Sequence, residues 1–271
     1  MKNPEIAFIM RSDEMIKDFN LERVTVKTSK GSVDRCFIGE VYGVPIAVIY
    51  GRFKDKKTTT DSIDFEQNIE TVEKLGAKKL VGTFVVGGIS PRRSAGTVYV
   101  LEDLIGMGGY HVTMDPRKDF HNAEMYRPFC HKLMLEMAAG KMDFETVTKA
   151  TYVCFHGWPR IETAAELRFY DKMGWDVVGQ TCDPEATFAR LKGICYAGVA
   201  VQIDEPRLRS LDAESNIRES DNTPTIRECR AKTTEVILRM LKDYSTFDCS
   251  QCHRGTRTNR SFRKLPDFYY E

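Results

Sequence analysis

The sequence predicts one α/β domain built around a single mixed sheet, and three observations carry that expectation. Short apolar runs alternate with helical stretches through the second half of the chain. The first half is richer in strand-like runs, two of them joined at a single glycine. Residues 194–203 form a long unbroken apolar run, as expected of a central strand covered on both faces. With 271 residues, 42% of them hydrophobic, the chain can bury one large core. No repeat, low-complexity segment or linker divides it, so we expect one domain over 1–248 and a tail over 249–271.

In order, Ile6 to Met10 reads as a first buried strand. Arg35 to Tyr42 and Val44 to Tyr50 form a hairpin about Gly43. Ile63, Ile69, Val72 and Leu75 recur at helical spacing, predicting a helix over 62–75 that Gly76 closes. Lys79 to Val86 is a buried strand ending in Gly87-Gly88, and Thr97 to Leu104 is another. Residues 107–128 read as irregular, followed by a helix from His131 to Ala139. A strand from Ala150 to Phe155 leads to a helix from Thr163 to Met173, stopped at Gly174. Then come a strand from Trp175 to Val178, a helix from Pro184 to Lys192 and the long apolar strand. After a polar segment, 204–223, an amphipathic helix from Thr225 to Tyr244 runs through Ile226, Cys229, Thr233, Val236, Ile237, Met240, Leu241 and Tyr244. The basic stretch 253–264 reads as a mobile end.

Composition excludes several classes of function. Lys plus Arg number 40 and Asp plus Glu 39, a net charge of +1 that provides no field for nucleic acid or membrane. No apolar run approaches the roughly 20 residues of a membrane span. The start, MKNPEIAFIMRSDE, lacks the apolar core of a signal peptide, so a cytoplasmic protein is expected. Of the eight cysteines, Cys154 and Cys195 lie in apolar runs and read as small core hydrophobes. Cys249 and Cys252 make one C-x-x-C beside His253, short of the four ligands of a closed zinc site. A tail disulfide, a redox-sensitive pair and chance stay open for them.

The stretch VVGQTCDPEATFAR, residues 177–190, ends an apolar strand in small polar groups just before a helix start. Such a junction suits an anion, because strand ends and helix N-termini present unpaired backbone N–H groups. Taken alone, it reads more simply as an ordinary strand–helix turn, with Asp183 as N-cap and Pro184 at the first helical position.

Taken together, TYVCFHGWPRIETAAELRFYDKMGWDVVGQTCDPEATFARLKGICYAGVAV resembles the trimeric purine nucleoside phosphorylases, nearest the archaeal methylthioadenosine and methylthioinosine branch. SKGSVDRCFIGEVYGVPIAVIYGR and DFEQNIETVEKLGAKKLVGTFVVGGI fall in the family's order, so the resemblance runs over about residues 5–245. It implies a single-domain nucleoside-phosphorylase-like fold, a twisted mixed sheet flanked by helices, assembled as a homotrimer or dimer of trimers. It also implies phosphorolysis: phosphate attacks C1′ of a purine nucleoside, releasing the base and ribose 1-phosphate or its 5′-methylthio analogue. No cofactor is implied beyond inorganic phosphate as co-substrate, and the partners are a purine nucleoside and phosphate, not nucleic acid or membrane. The resemblance places Ser12, Arg52 and Thr181 on phosphate, and Phe84, Val85, Gly87, Ile161, Gln180 and Asp204 around the nucleoside. Asp204 also takes the catalytic role toward the leaving base; an aspartate there suits a 6-aminopurine.

The chain departs from the family pattern at several of these places. Met10-Arg11-Ser12-Asp13 replaces the Gly-Gly-Ser/Thr-Gly phosphate loop; Asp13 brings a negative charge where an anion should sit, and Arg11 either closes the phosphate site or supplies a new anion contact. Phe53 replaces a histidine after Arg52, with Lys54, Lys56 and Lys57 following. Phe84 replaces a ligand-binding threonine, which Thr83 could supply if the register slips by one. His156 stands for a glutamate, Trp158 is inserted, Ile161 replaces the phenylalanine that stacks on the base, and Gln180 replaces a methionine. His121 falls near a histidine that reaches into the neighbouring subunit's pocket; both histidines otherwise read as surface or packing residues. Two readings fit: a phosphorylase with altered specificity or weakened activity, or an inactive paralogue acting as a nucleoside-binding or oligomeric scaffold.

Overall fold

The computed structural model describes residues 3–11, 13–52, 59–109, 121–157, 159–206, 224–248 and 256–258. Ser12, Phe53, Lys54, Lys56, Lys57, Trp158, Cys249, Cys252 and His253 lie outside these. The elements in order are β1 (Ile6–Met10), α1 (Glu14–Asp18), β2 (Glu22–Thr28), β3 (Gly31–Val41), β4 (Val44–Tyr50), a 3-10 turn (Thr60–Ser62), α2 (Phe65–Lys74), β5 (Lys79–Gly88), β6 (Val98–Met107), β7 (His121–Ala123), α3 (His131–Ala138), β8 (Thr146–Phe155), α4 (Ala164–Lys172), β9 (Val177–Gly179), α5 (Glu185–Leu191), β10 (Cys195–Gln202), α6 (Ile226–Lys242) and β11 (Thr256–Thr258).

Nine strands form one mixed sheet in the order β10-β6-β8-β9-β5-β1-β4-β3-β2, and β10 also pairs with β5. The extra pairing closes β5, β10, β6, β8 and β9 into a ring. Strands β1, β4, β5 and β10 run parallel to one another across their pairings. Strands β1 and β10 are buried at every residue, as their continuous apolar runs require. Helix α6 buries Cys229, Thr233, Val236, Ile237, Met240 and Leu241 of the predicted stripe, while Ile226, in its first turn, is 46% exposed and Tyr244 lies beyond its end. Helices α4 and α6 each open with a Thr–Glu capping box, Thr163 with Glu166 and Thr225 with Glu228. Cys154 and Cys195 are buried core residues.

The β3–β4 hairpin turns through Tyr42 and Gly43, both at positive φ (51° and 79°), the geometry a two-residue hairpin needs. Strand β2 and the short α1 were not expected. Strand β2 buries only Val26 among its seven residues, so an edge strand carries almost no apolar signal. The 107–128 stretch is not wholly irregular: β7 lies in it and pairs antiparallel with β11 from the basic tail. The helix expected over 62–75 is a 3-10 turn followed by α2, whose N-cap Asp64 accepts from Gln67 N–H at 2.9 Å.

Candidate active site

The sheet forks at β5. One edge of this strand is paired by β1 at Leu80–Gly82 and then by β9 at Gly87 and Gly88. Between those partners, Thr83 to Val86 face an opening where β1 ends from one side and β9 from the other. A cavity of about 340 Å³ occupies the opening. It lies beyond the carboxyl ends of β1, β4 and β9, where open α/β sheets collect ligands.

Most of the residues placed by resemblance meet here. Arg52, Phe84, Val85 and Gly87 line the cavity from the β4 end and β5. Ile161, Gln180, Thr181 and Asp204 line it from the segment before α4, the end of β9 and the end of β10. The VVGQT junction therefore borders the cavity. Its helix starts one residue later than expected: Pro184 is the N-cap, and Asp183 instead accepts from Thr187 Oγ1–H at 2.6 Å.

At one end of the cavity Arg52 is 3% exposed and holds a buried network together. Its Nε and Nη2 donate to the two Glu185 oxygens at 2.7 and 2.9 Å, and its Nη1 donates to the Thr83 carbonyl at 2.7 Å. That carbonyl belongs to the part of β5 where the fork removes a strand partner, so Arg52 satisfies backbone the sheet leaves open. Tyr196 Oη–H donates to Glu185 Oε1 at 2.8 Å. Burial opposes the charge on Arg52, but Glu185 outweighs it, and the guanidinium is held above its ordinary pKa. Gly82 makes the room: a Cβ there would lie 2.7 Å from both Glu185 Oε1 and Tyr196 Oη.

The Phe84 ring lies under the Arg52 guanidinium, 4.3 Å from its centroid, and meets Tyr152 edge-on at 5.5 Å. Thr83 also lines the cavity, but its hydroxyl donates to the Ile9 carbonyl at 3.2 Å. Asp13 does not border the cavity in the way its place in sequence suggested. It pairs with Lys17 at 2.5 Å on the outside of α1.

The other end holds carboxylates. Asp204 Oδ1 is buried, and Gly87 faces it, a Cβ there falling at 3.7 Å. Gln202 braces this turn, its Nε2 donating to the Asp204 carbonyl and its Oε1 accepting from Tyr99 Oη–H, both at 2.8 Å. Glu162 lines the cavity as well. Thr83 and Gly87 are four residues apart on β5, so the arginine and carboxylate ends are separated by roughly 13 Å. Ile161 sits at the mouth, 53% exposed.

A second cavity of about 390 Å³ adjoins, sharing Thr60 and Gln180 in its wall. His156 lines it; burial lowers the His156 pKa from its ordinary value, while Asp183 acts the other way. The main chain of His121 lies in β7. The residues that sequence reasoning left out of the site are Glu162, Glu185, Tyr196 and Gln202, whereas Arg11, which the sequence leaves open between closing the phosphate site and supplying a new anion contact, lines the cavity. Glu185 was read only as a helix start, and nothing local marks a carboxylate that is 0% exposed. Among the described residues no group of three or more His, Cys, Asp or Glu could hold a metal, and no helix is long and apolar enough to cross a membrane.

A forked mixed sheet with a polar cleft at its strand ends defines an α/β protein with a candidate ligand site. The sequence model of the phosphorylase superfamily matches residues 5–242. The 6-oxopurine nucleoside phosphorylase of Pyrococcus furiosus is 32% identical over 73% of this chain and 78% of its own. The S-methyl-5′-thioadenosine phosphorylase of Thermofilum pendens is 27% identical over 76% of each chain. A methylthioadenosine phosphorylase from an antarctic soil metagenomic library superposes with a TM-score of 0.73 at 26% identity, over 89% of this chain and 86% of that one. The Schistosoma mansoni methylthioadenosine phosphorylase shares the fold, with a TM-score of 0.72 at 17% identity over 92% of this chain and 95% of that one. The chain belongs to the phosphorylase superfamily, on its purine nucleoside and methylthioadenosine phosphorylase branch.

Proposed function

We propose that this chain is a phosphate-dependent purine nucleoside phosphorylase, acting on a ribonucleoside or its 5′-substituted analogue in the cytoplasm as a homotrimer or dimer of trimers. The observation that carries the reading is the one cavity in the β5 fork. Its arginine end and carboxylate end are set apart by about the length of four strand residues, roughly 13 Å. In this reading Arg52 and Thr181 hold phosphate at one end, and Gln180 and Val85 flank the sugar. Asp204, with Gly87 beside it, meets the base.

Phosphate attacks C1′ as the C1′–N9 bond breaks, and the bonding electrons leave with the purine. Positive charge develops on the sugar next to the phosphate dianion, so holding the two in line lowers the barrier. The departing purine becomes basic at N7, and Asp204 in its protonated form stabilises it there by donating a hydrogen bond or the proton. Inorganic phosphate is the only co-reactant, and the products are free base and the sugar 1-phosphate.

The test is base release from methylthioadenosine, adenosine, inosine and guanosine, with and without phosphate, alongside thermal shift by the same ligands. Phosphate-dependent release is the expected result. A second reading, a nucleoside-binding paralogue without chemistry, is favoured by two features. Ile161 offers no aromatic face at the mouth, and the Arg52 fork is already engaged by Glu185. Ligand-induced stabilisation with no base release would establish it.

A further inference from the structure

Arg52 alone cannot supply the charge that a phosphate dianion calls for. Its guanidinium and the Glu185 carboxylate form a bidentate pair, 2% and 0% exposed, that is neutral as a unit. Positive charge at this end of the cavity comes from elsewhere. Arg11 follows β1 directly and lines the same cavity as Arg52 and Thr181, entering the fork from the side opposite β9. Arg230, on α6, lies close enough to act on it: burial, then Arg230, then Arg52 lower the Arg11 pKa, with Tyr50 opposing. The Arg230 Nε is buried with no hydrogen-bond partner among the described residues. Asp13, the acid that would have repelled an anion here, is paired with Lys17 and 41% exposed.

Resting on the phosphorylase reading above, we infer that Arg11 is a phosphate-binding residue and Arg230 the cation that backs it. Side-chain forks thereby replace the backbone amides that a glycine-rich loop would offer. An arginine fork can make two parallel bonds to one phosphate, so the exchange keeps donor number while adding formal charge. The cradle lost at Met10-Arg11 is a changed cradle, not a closed one.

The experiment is calorimetric titration of inorganic phosphate, without nucleoside, into the wild-type chain, Arg11→Ala, Arg11→Lys and Arg230→Gln. Arg11 is exposed enough that its variants should fold, and the thermal shift given by inosine or adenosine checks the rest of the site. Removing Arg11 should weaken phosphate binding about tenfold or more, with the nucleoside shift unchanged. Arg11→Lys should recover part of the loss, because it restores charge but not the fork. Arg230→Gln should weaken phosphate less than Arg11→Ala does. Phosphate affinity within about twofold of wild type in Arg11→Ala, or no phosphate binding by the wild type, would overturn the inference. The same proteins are assayed for base release. Release with Arg11→Ala unaffected in KM for phosphate would defeat the Arg11 assignment and leave the phosphorylase reading standing. Arg11-dependent phosphate binding in a chain that releases no base would do the reverse.

Discussion

Replacing Glu185 by glutamine removes one charge from the most buried ion pair described and changes little in shape. Arg52 then keeps its charge at 3% exposure without a counter-ion. Removing one partner of a buried pair costs about 3 to 5 kcal/mol, because the other charge is left uncompensated. The introduced amide could still accept from Tyr196 Oη, whose bond to Glu185 Oε1 is 2.8 Å, but its own N–H group would face guanidinium donors. At about 2.1 cal/mol/K per residue, unfolding this chain of 271 residues carries an entropy near 570 cal/mol/K, so the loss corresponds to roughly 5 to 9 °C in Tm. Urea unfolding of Glu185→Gln against wild type, followed by tryptophan fluorescence and circular dichroism, reads the free-energy difference. The double variant Arg52→Met/Glu185→Met serves as control: with both charges gone it should recover most of the stability. A loss below about 1 kcal/mol in Glu185→Gln is the range of a solvated pair and would refute the buried-pair account.

Other outcomes follow from the same geometry. Gly82→Ala should destabilise by about 1 to 3 kcal/mol, because its Cβ meets Glu185 Oε1 and Tyr196 Oη at 2.7 Å; a neutral effect in urea titration would mean the network can shift. Burial holds the folded pKa of His156 below its ordinary value, with Asp183 opposing, so the unfolded chain takes up this proton first as pH falls. The contribution of neutral His156 is complete above the unfolded pKa of about 6.5 and is lost as pH drops toward the folded value. Thermal scans from neutral to mildly acidic pH should therefore show wild type losing more stability than His156→Gln; equal losses would remove His156 from the linkage. Asp204→Asn should move preference from adenine-type toward hypoxanthine-type nucleosides by about tenfold in relative kcat/KM. An unchanged ratio would take Asp204 out of the base site.

Much of this protein is legible in its sequence, for reasons that are local. A strand buried on both faces must be apolar throughout, so β1 and β10 announce themselves. A helix on the core shows its period, as α6 does through Val236, Ile237, Met240 and Leu241. The strand-to-helix stretch at Gly179 to Glu185 and the long strand ending near Asp204 carry the family's order of residues, which is enough to place Gln180, Thr181 and Asp204 at one site. What local pattern cannot hold is pairing across the chain. Arg52 and Glu185 are 133 residues apart, and only the parallel pairing of β1, β4, β5 and β10 brings their side chains to 2.7 Å. The same holds for the fork. Nothing in Lys79 to Gly88 says that β1 leaves at Gly82 and β9 arrives at Gly87, because strand pairing is fixed by partners distant in sequence. The sequence by itself thus determined the family, the strands and helices that bury a full face, and the residue types at much of the site. The tertiary structure alone decided that Arg52 is neutralised by a buried carboxylate, that Asp13 turns outward to Lys17, and that Arg11 enters the cavity. Charge balance in a buried site depends on distances between residues, and distances are what the fold supplies.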